Sequence, residues 1–308
     1  MPYFTLVGHI TLDYIFQEGR LRYRGLGGPP SYASALLQAE GERAYVITKH
    51  GPRPPKEWAL LLAMGRMALA PGYEEPSRPT TSFSLSYRRG RRRVRLLAYC
   101  APIAPQQLVQ GPMDVALISP VMKEVDEGAL AILRSRAQLS LLDPQGLLRS
   151  ADERGRCRLS PPPFNPLRYA DYVKLGGEEA EALLGPLAPA EALERLLARG
   201  ARGILLTGRR EVYLRVGGAA YHLPLPRVRA LDPTGAGDIF CASFLLGLVR
   251  KGDPLLALAG AAVQAQAAVR LGLGIRKVLA LKEAPSLMGK GLMRRAEILL
   301  QRLRRLSG

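Results

Sequence analysis

Short apolar runs alternate along the chain with longer stretches in which apolar residues recur every three or four positions. Each short run predicts a buried strand, and each longer stretch predicts a helix with an apolar face. The predicted strands are 3–8, 43–48, 115–119, 139–143, 172–175 and 203–207, with a hairpin at 213–223. The predicted helices are 29–41, 56–64, 127–136, 178–184, 190–199, 239–251 and 255–271, with a basic amphipathic helix at 291–306. Strands separated by helices of this length form parallel βαβ units with right-handed crossovers, so the sequence predicts an α/β protein with a mainly parallel central sheet flanked by helices.

Two segments break this rhythm. Residues 10–26 and 80–99 each contain two short strand-like runs, and the second pair flanks a charged tip. Polar residues surround Phe83 and Leu85, so the second hairpin is expected to stand away from the main core. We therefore predict one domain over residues 1–308, with a small β lid built from residues 10–26 and 80–99.

The composition narrows the class of protein. The chain has 308 residues, of which 47% are hydrophobic and 23% charged, and these values are typical of a globular protein. No apolar run reaches about 18 residues, and no Lys or Arg precedes Asp13, so neither a transmembrane helix nor a signal peptide is expected. The three cysteines form no CxxC pair, which argues against a disulfide framework or a structural zinc site. A soluble, cytoplasmic protein without a membrane partner is therefore expected.

The formal net charge of +18 has several explanations. A basic surface can bind nucleic acid, a membrane surface or a small phosphorylated ligand. An Arg-rich composition is also typical of a thermophile or of a genome with biased composition. No RNA- or DNA-binding signature accompanies the charge, so a nucleic-acid-binding protein remains only the non-enzymatic alternative. The basic residues are concentrated at 88–95, 199–210 and 294–305, and a nucleic-acid-binding protein would use residues 88–95 and the basic tail helix.

The segment Asp-Pro-Thr-Gly-Ala-Gly-Asp, residues 232–238, leads directly into a predicted helix. Gly235 and Gly237 allow a tight turn and a close approach of a ligand to the backbone. The unpaired N–H groups and the dipole of the helix N-terminus form an anion site. A carboxylate there opposes a bound phosphate unless it takes a proton from an attacking hydroxyl, which would make Asp238 a general base. The alternative is an ordinary turn with an acidic N-terminal cap.

Here the sequence resembles a known family. Asp-Pro-Thr-Gly-Ala-Gly-Asp-x-Phe-x-Ala-x-Phe resembles the C-terminal signature of the ribokinase-like (PfkB) carbohydrate kinases. The resemblance implies a three-layer α/β/α sandwich with a β lid, and a kinase that uses ATP and Mg²⁺. It also implies that Asp238 is the catalytic base and that Gly235, Ala236 and Gly237 form the anion hole for the transferred phosphoryl group.

Two further segments resemble the part of the family site that binds the phosphate acceptor. Gly8-x4-Asp13 is similar to the segment that carries the substrate aspartate, and a carboxylate there can accept hydrogen bonds from two sugar hydroxyls. Gly27-Gly28 before a helix is similar to the double glycine where the sugar approaches the backbone. A turn-forming Asp and a glycine helix entry are the structural alternatives.

Other segments resemble the donor side of the site. The run from Lys174 to Glu179 is similar to the family's Lys-Leu-Asn-x-x-Glu, with Gly176 in place of the Asn, and implies that Glu179 helps to hold the water shell of Mg²⁺. Thr207 and Gly208 resemble the strand end that contacts nucleotide phosphates, and Lys174 is included as a nucleotide-binding residue. The resemblance also places Asp232 and Thr234 where some members bind a potassium-like ion.

A resemblance to one branch of this family narrows the choice of phosphate acceptor. Tyr32 occupies the position where ribose-binding members carry Asn, and the family's Asp-x-Asn is Asp143-Pro-Gln145-Gly here. These features resemble the archaeal myo-inositol kinase branch, which implies that Gln145 binds substrate and that myo-inositol is the leading acceptor. Two alternatives of the same fold remain. One is a ribose or fructose kinase, and the other is a nucleoside kinase, which would need an aromatic wall formed by Tyr14, Phe16, Tyr32 and Phe83.

The remaining prediction concerns assembly. The apolar residues Phe83, Leu85, Leu96 and Leu97 near the lid face would expose more apolar surface than a monomer usually tolerates. In the family, lids often pair across a two-fold axis. A homodimer through the lid is therefore expected.

Overall fold

The computed structural model describes residues 2–89, 91–282 and 290–306, so the tip glycine of the predicted lid hairpin lies outside the described residues. The strands in these ranges are β1 (Phe4–Val7), β2 (Thr11–Gln17), β3 (Arg20–Gly27), β4 (Ala44–Ile47), β5 (Met67–Leu69), β6 (Ser82–Arg88), β7 (Arg91–Ala98), β8 (Val115–Ile118), β9 (Leu139–Leu142), β10 (Arg149–Ala151), β11 (Cys157–Leu159), β12 (Tyr172–Gly176), β13 (Gly203–Thr207), β14 (Glu211–Val216), β15 (Ala219–Pro224) and β16 (Arg304–Leu306). The helices are α1 (Pro29–Ala39), α2 (Lys56–Ala63), α3 (Pro105–Leu108), α4 (Glu127–Arg136), α5 (Gly177–Leu184), α6 (Pro189–Leu197), α7 (Ala236–Lys251), α8 (Pro254–Leu271), α9 (Arg276–Lys282) and α10 (Lys290–Leu300).

The central sheet has the strand order β16-β15-β14-β13-β12-β9-β8-β1-β4-β5. The strands from β13 to β5 pair in parallel, and β14, β15 and β16 continue the sheet in antiparallel fashion. β1, β4 and β8 are buried along their whole length because helices cover both faces of the sheet, and their apolar runs reflect this. The predicted mainly parallel sheet is confirmed.

Two apolar cores lie on opposite faces of this sheet. One contains Leu36 of α1, Phe244 of α7 and Leu258 of α8. The other contains Leu130 of α4 and Leu193 of α6. The helices therefore form two layers around the sheet, which is the predicted three-layer arrangement.

Helix α8 is long and apolar enough, by length and composition alone, to cross a membrane. It packs instead as a core helix, since Leu258, Ala261 and Ala262 are fully buried in the same core as α7. Its apolar character is explained by its packing between other helices.

The lid forms a separate four-stranded sheet with the order β3-β2-β6-β7, as the sequence predicts. Its inner face packs on the protein's own Val121 and Met122, so Phe83 and Leu85 are buried at 4% and 3% exposure. These two side chains therefore need no second subunit to cover them. Of the four apolar residues that suggested a dimer, Leu97 is the one that is strongly exposed.

The C-terminal tail differs from the prediction. Residues 291–306 were expected to form one helix, but α10 ends at Leu300 and Arg304–Leu306 form β16. β16 pairs with residues 220–222 at the edge of the central sheet, where an otherwise unpaired strand offers backbone groups. The short strands β5, β10 and β11 were not predicted either, because three residues carry too little pattern to identify a strand.

A buried carboxylate ties the ends of two central strands together. The side chain of Glu124 is 1% exposed and accepts backbone N–H bonds from His9, Val121 and Met122 at 3.0, 2.7 and 2.7 Å. His9 follows β1, and the other two residues follow β8. This carboxylate therefore fixes the loops beneath the lid.

We expect Glu124→Gln to lower the free energy of unfolding by about 2–3 kcal/mol, because an amide NH₂ group would face buried N–H donors that a carboxylate satisfies. The measurement is urea unfolding followed by circular dichroism. The exposed Glu153→Gln is the matched control and should change stability by less than about 0.5 kcal/mol. Equal stabilities for the two variants would show that the Glu124 contacts do not matter for the fold.

Candidate active site

The carboxyl ends of the parallel strands meet the lid at one edge of the sheet, where ligands bind in open α/β folds. Asp143 directly follows β9, Lys174 lies in β12, and Thr207 ends β13. The loop that precedes α7 and the junction between β3 and α1 reach the same edge. The residues predicted from separate parts of the sequence are thus brought to one side of the molecule.

The glycine loop before α7 has the shape that an anion site needs. Gly235 is the N-cap of α7 with φ 77°, and a Cβ there would lie 2.6 Å from the ring of Tyr32. A Cβ on Gly237 would lie 3.2 Å from the Lys174 Nζ atom. Gly235 therefore requires glycine, whereas a side chain at Gly237 would press on Lys174. In the first turn of this 16-residue helix, the Ala236 N–H donates to the Pro233 carbonyl at 3.2 Å, and the helix start leaves the N–H groups of Gly237 and Asp238 available to an anion.

Asp238 lies in the first turn of α7 and is 9% exposed. Burial, and after it the nearby Asp143 carboxylate, raise the pKa of its carboxyl to about 7, while Lys174 and Arg92 oppose the shift. A carboxylate with a pKa near neutrality can both accept and release a proton at physiological pH. The raised pKa of Asp238 is thus compatible with the predicted role of a general base.

Lys174 and Asp143 form a buried ion pair, with 2.9 Å between the Nζ and Oδ2 atoms. Burial alone would lower the pKa of Lys174, but the carboxylates of Asp143 and Glu179 raise it above its ordinary value, so the ammonium stays charged. Burial raises the pKa of Asp143, and Lys174 opposes that shift. The pair lies beside Gly237, so a fixed positive charge adjoins the anion loop.

The structure brings Asp13 and the double glycine together. Asp13 is 4% exposed in β2, and its Oδ1 atom accepts a hydrogen bond from the Thr11 hydroxyl at 2.7 Å. A Cβ on Gly27 would lie 2.0 Å from Asp13 Oδ2, and a Cβ on Gly28, with φ 86°, would lie 2.4 Å from the His9 carbonyl. Burial raises the pKa of Asp13 to about 6. Only glycine allows this carboxylate to lie against the backbone.

Gln145 lies next to Arg149, one of two arginines at the site that sequence reasoning missed. Its Oε1 atom accepts from Arg149 Nη2 at 3.4 Å, and Arg149 also donates to the Val121 carbonyl at 3.0 Å. Arg149 and the lid residue Arg92 both lower the pKa of Asp13, and Arg92 also lowers that of Asp238. Arg92 belongs to a run of basic residues that is typical of a solvent-exposed hairpin. The sequence therefore does not distinguish it from the neighbouring arginines as a site residue.

The predicted donor-side residues lie in two places. Thr207 and Gly208 line a cleft of about 290 Å³, whose other lining residues include Gly177, Ala180, Leu187 and Tyr213. Lys174 lies beside the anion loop rather than in this cleft. Glu179 caps α5, since its Oε2 atom accepts from the Gly176 N–H at 2.6 Å.

Asp232 and Thr234, the residues predicted to bind a monovalent cation, contact a lysine. Lys277 is completely buried, and its Nζ atom donates to Asp232 O, Asp232 Oδ2 and Thr234 O at 2.7, 2.9 and 2.7 Å. Asp232 Oδ2 also accepts from the Gly274 N–H at 2.9 Å. Lys277 is 45 residues away from Asp232, and no motif in the sequence connects the two.

Residues 161–276 match the family model of the pfkB family carbohydrate kinases. Among curated proteins, an inositol 3-kinase of Zea mays is 28% identical over 268 residues, which cover 79% of this chain and 66% of that protein. An inositol 3-kinase of Oryza sativa subsp. japonica is also 28% identical, over 270 residues that cover 79% of this chain and 62% of that protein. The chain thus spans slightly less than two thirds of the length of these relatives.

Solved structures share the whole architecture. A pyrophosphate-dependent kinase in the ribokinase family, in complex with sulfate, matches with a TM-score of 0.80 at 24% identity, over 90% of this chain and 99% of that one. A ribokinase of Arabidopsis thaliana, in complex with ribose and ATP, matches with a TM-score of 0.67 at 17% identity, over 97% and 99%. With the matching family model and the curated relatives, these likenesses support the resemblance in the sequence: residues 161–276 carry a pfkB family carbohydrate kinase domain, and the chain has the ribokinase-like fold.

Proposed function

We propose that the protein is a cytoplasmic kinase that transfers the γ-phosphoryl group of ATP to a hydroxyl of a small sugar or cyclic polyol, with myo-inositol as the leading acceptor. The observation that carries the proposal is the position of Asp238. A buried carboxylate with a pKa of about 7 lies in the first turn of a helix whose glycine loop is open to an anion. Such an arrangement is suited to removing a proton from a hydroxyl that attacks a phosphoryl group.

In the proposed reaction, Asp238 accepts the proton of the acceptor hydroxyl as its oxygen forms a bond to the γ-phosphorus. The bond between that phosphorus and the bridging oxygen breaks, and ADP leaves with the electron pair. The N–H groups of the glycine loop, Gly235 to Gly237, and the Lys174 ammonium stabilise the charge on the phosphoryl oxygens. Removal of one such stabilising group commonly costs about 10²–10³ in rate.

The residues present are compatible with Mg²⁺. This ion keeps several waters and takes one or two carboxylates together with substrate phosphates, and it would neutralise charge on the transferred group. Glu179 and Asp143, which both act on the pKa of Lys174, would supply carboxylate oxygens through water.

The acceptor would lie between the lid and the sheet, against Asp13, Gly27, Gly28 and Gln145. The hydroxyl of Tyr32 supports this position: it is buried without a hydrogen-bond partner in the described residues, and Asp13 and Asp238 both act on its pKa. A buried polar group without a partner is rare and suits a ligand hydroxyl. The curated relatives named inositol 3-kinase support a cyclic polyol.

A nucleoside acceptor is disfavoured by the orientation of the lid aromatics. Successive side chains of a strand point to opposite faces, so Tyr14 and Phe16 lie on the face opposite Asp13. Phe83 is buried with the Arg149 guanidinium 5.8 Å from its ring centroid. Tyr14 and Phe16 therefore do not contribute to a wall that would stack a nucleobase over Asp13, which removes two of the four aromatic side chains that a nucleoside site would use.

ATP is proposed as the donor because the cleft beside Thr207 and Gly208 is largely apolar and of a size that suits a nucleobase. Pyrophosphate is the competing donor, since a structural neighbour is named a pyrophosphate-dependent kinase. The test is a phosphorylation screen with each donor and Mg²⁺ against myo-inositol, ribose, fructose and cytidine. Turnover of myo-inositol with ATP would support the proposal; turnover with pyrophosphate alone would exclude ATP as donor, and turnover of cytidine alone would exclude the polyol.

A homodimer through the lid stays a prediction. The burial of Phe83 and Leu85 within the chain weakens the argument that exposed apolar surface requires a dimer. Leu21 and Leu97 of the lid remain about half exposed. Light scattering well above micromolar concentration tests it, and a monomeric mass would contradict it.

Replacement of Asp238 tests the base. Asp238→Asn keeps the size of the side chain but cannot accept the proton, so kcat should fall by about two to four orders of magnitude with little change in ATP binding. Asp253→Asn is the matched control: Asp253 caps α8, where Asn caps equally well, and its kcat should stay near the wild-type value. A kcat above about a tenth of wild type for Asp238→Asn would exclude this residue as the base.

The pH dependence follows from the pKa of about 7 for Asp238. The base works only when unprotonated, so kcat/KM should rise with pH with a midpoint near 7. Because the folded state holds this proton more tightly than the unfolded state, stability should fall as pH rises from about 4 to about 7. Asp238→Asn removes the buried charge and should be at least as stable as wild type at about pH 8. A flat rate profile between about pH 5 and 8 would contradict the assignment.

Replacement of Asp13 tests the acceptor site. Asp13→Ala removes a charged acceptor of substrate hydroxyls, so the KM for the acceptor should rise by roughly 10- to 150-fold while the KM for ATP changes little. Asp13→Asn, which keeps the shape beside Gly27, controls for misfolding and should show a smaller change in the same direction. Equal effects on both KM values would place Asp13 outside the acceptor site.

A further inference from the structure

Lys277 is a fully buried cation that the proposed chemistry does not use. Its ammonium has three N–H donors, and each meets one oxygen: the Asp232 carbonyl, the Asp232 carboxylate and the Thr234 carbonyl, at 2.7, 2.9 and 2.7 Å. A neutral amine has only two N–H groups and would leave one of these acceptors unpaired. The three contacts therefore match the charged form.

The same three oxygens are the ligands that a monovalent cation would need. Carbonyl oxygens replace the hydration shell of a potassium ion, and a carboxylate supplies the compensating charge. A potassium ion at this place would have to share its oxygens with an ammonium a few ångströms away, and two like charges that close repel strongly in a buried site. The residues present therefore do not fit a bound potassium ion.

We propose that the Lys277 ammonium takes the place of a monovalent cation in this protein, so that the protein needs no potassium for the integrity of its site. Lys277 acts as a positioning residue, because it contacts the backbone of the loop that leads to Gly235 and Asp238 and not the reacting groups. This deepens the proposed function, since it concerns the same anion loop.

The contacts around the pair explain why a tethered cation is effective. Asp232 is 0% exposed, and a buried carboxylate without compensation is costly. Besides Lys277, its carboxylate accepts from the N–H groups of Thr234 and Gly274, both at 2.9 Å. The lid residue Tyr87 bonds the Thr234 hydroxyl at 2.9 Å. The ammonium thus joins α9, the loop before α7 and, through Thr234, the lid.

The first test uses the wild-type protein and needs no turnover. Thermal unfolding is measured in KCl and in choline chloride of equal ionic strength, and the Tm should be the same in both. A site with millimolar affinity would raise the Tm by several degrees in about 100 mM potassium, so a potassium-specific rise would overturn the proposal. This result is independent of whether the protein is a kinase.

The second test removes the Lys277 ammonium and leaves a cavity beside Asp232 and Thr234. Lys277→Ala should lower the Tm, and potassium or ammonium ions should restore part of the loss, whereas choline, too large for the cavity, should not. In the phosphorylation assay, kcat/KM should fall about 100-fold, since a displaced loop misplaces the base, and the same ions should restore part of it. The matched control Lys49→Ala removes a lysine paired with Glu75 at 3.5 Å outside the site, and should show no ion-specific rescue.

If Lys277→Ala does not fold, the double variant Asp232→Asn with Lys277→Met removes both charges and keeps the size of both side chains. It should fold, show low activity and gain nothing from potassium, because the carboxylate ligand is absent. Wild-type activity in this double variant, or wild-type Tm and activity in Lys277→Ala, would show that the ammonium has no positioning role.

Discussion

The balance of buried charge at the carboxyl edge of the central sheet is the constraint on which the site depends. Asp13, Asp143, Asp232 and Asp238 are all buried there, and carboxylates out of water are tolerated only with compensation. Lys174 compensates Asp143, and Lys277 compensates Asp232. Burial raises the pKa of Asp143 as well, and Lys174 opposes that shift. Asp13 and Asp238 form no ion pair with a lysine among the described residues, and burial raises their pKa values to about 6 and about 7. The two carboxylates proposed to contact the acceptor are thus the two without a lysine partner.

Glycine has a matching role in this arrangement. A side chain at Gly27 would displace the Asp13 carboxylate, and one at Gly237 would press on Lys174. The glycines therefore do more than permit turns: they leave room for charged groups to approach the backbone. This explains why the two glycine motifs, far apart in sequence, lie on either side of one site.

Features that depend on local pattern could be predicted from the sequence. The alternation of apolar runs and helical stretches predicted the parallel sheet, and helix α4 falls on the predicted residues 127–136. The loop from Gly235 to Asp238 was recognisable because its chemistry is contiguous. Lys277 could not be predicted, because its partners are set by tertiary packing, and the tail strand β16 could not, because three residues gain strand character only from the neighbouring edge.

The attachment of Arg92 to the lid has a consequence for the timing of proton transfer. Arg92 belongs to β7, yet its charge lowers the pKa of Asp238 in the body of the protein as well as that of Asp13 in the lid strand β2. Any movement that carries the lid outward removes this charge from Asp238 and increases the proton affinity of that carboxylate. Asp238 therefore holds a proton more tightly when the lid is open, and its unprotonated form is favoured when the lid is closed. The position of the lid and the protonation state of Asp238 are in this way coupled through the Arg92 guanidinium.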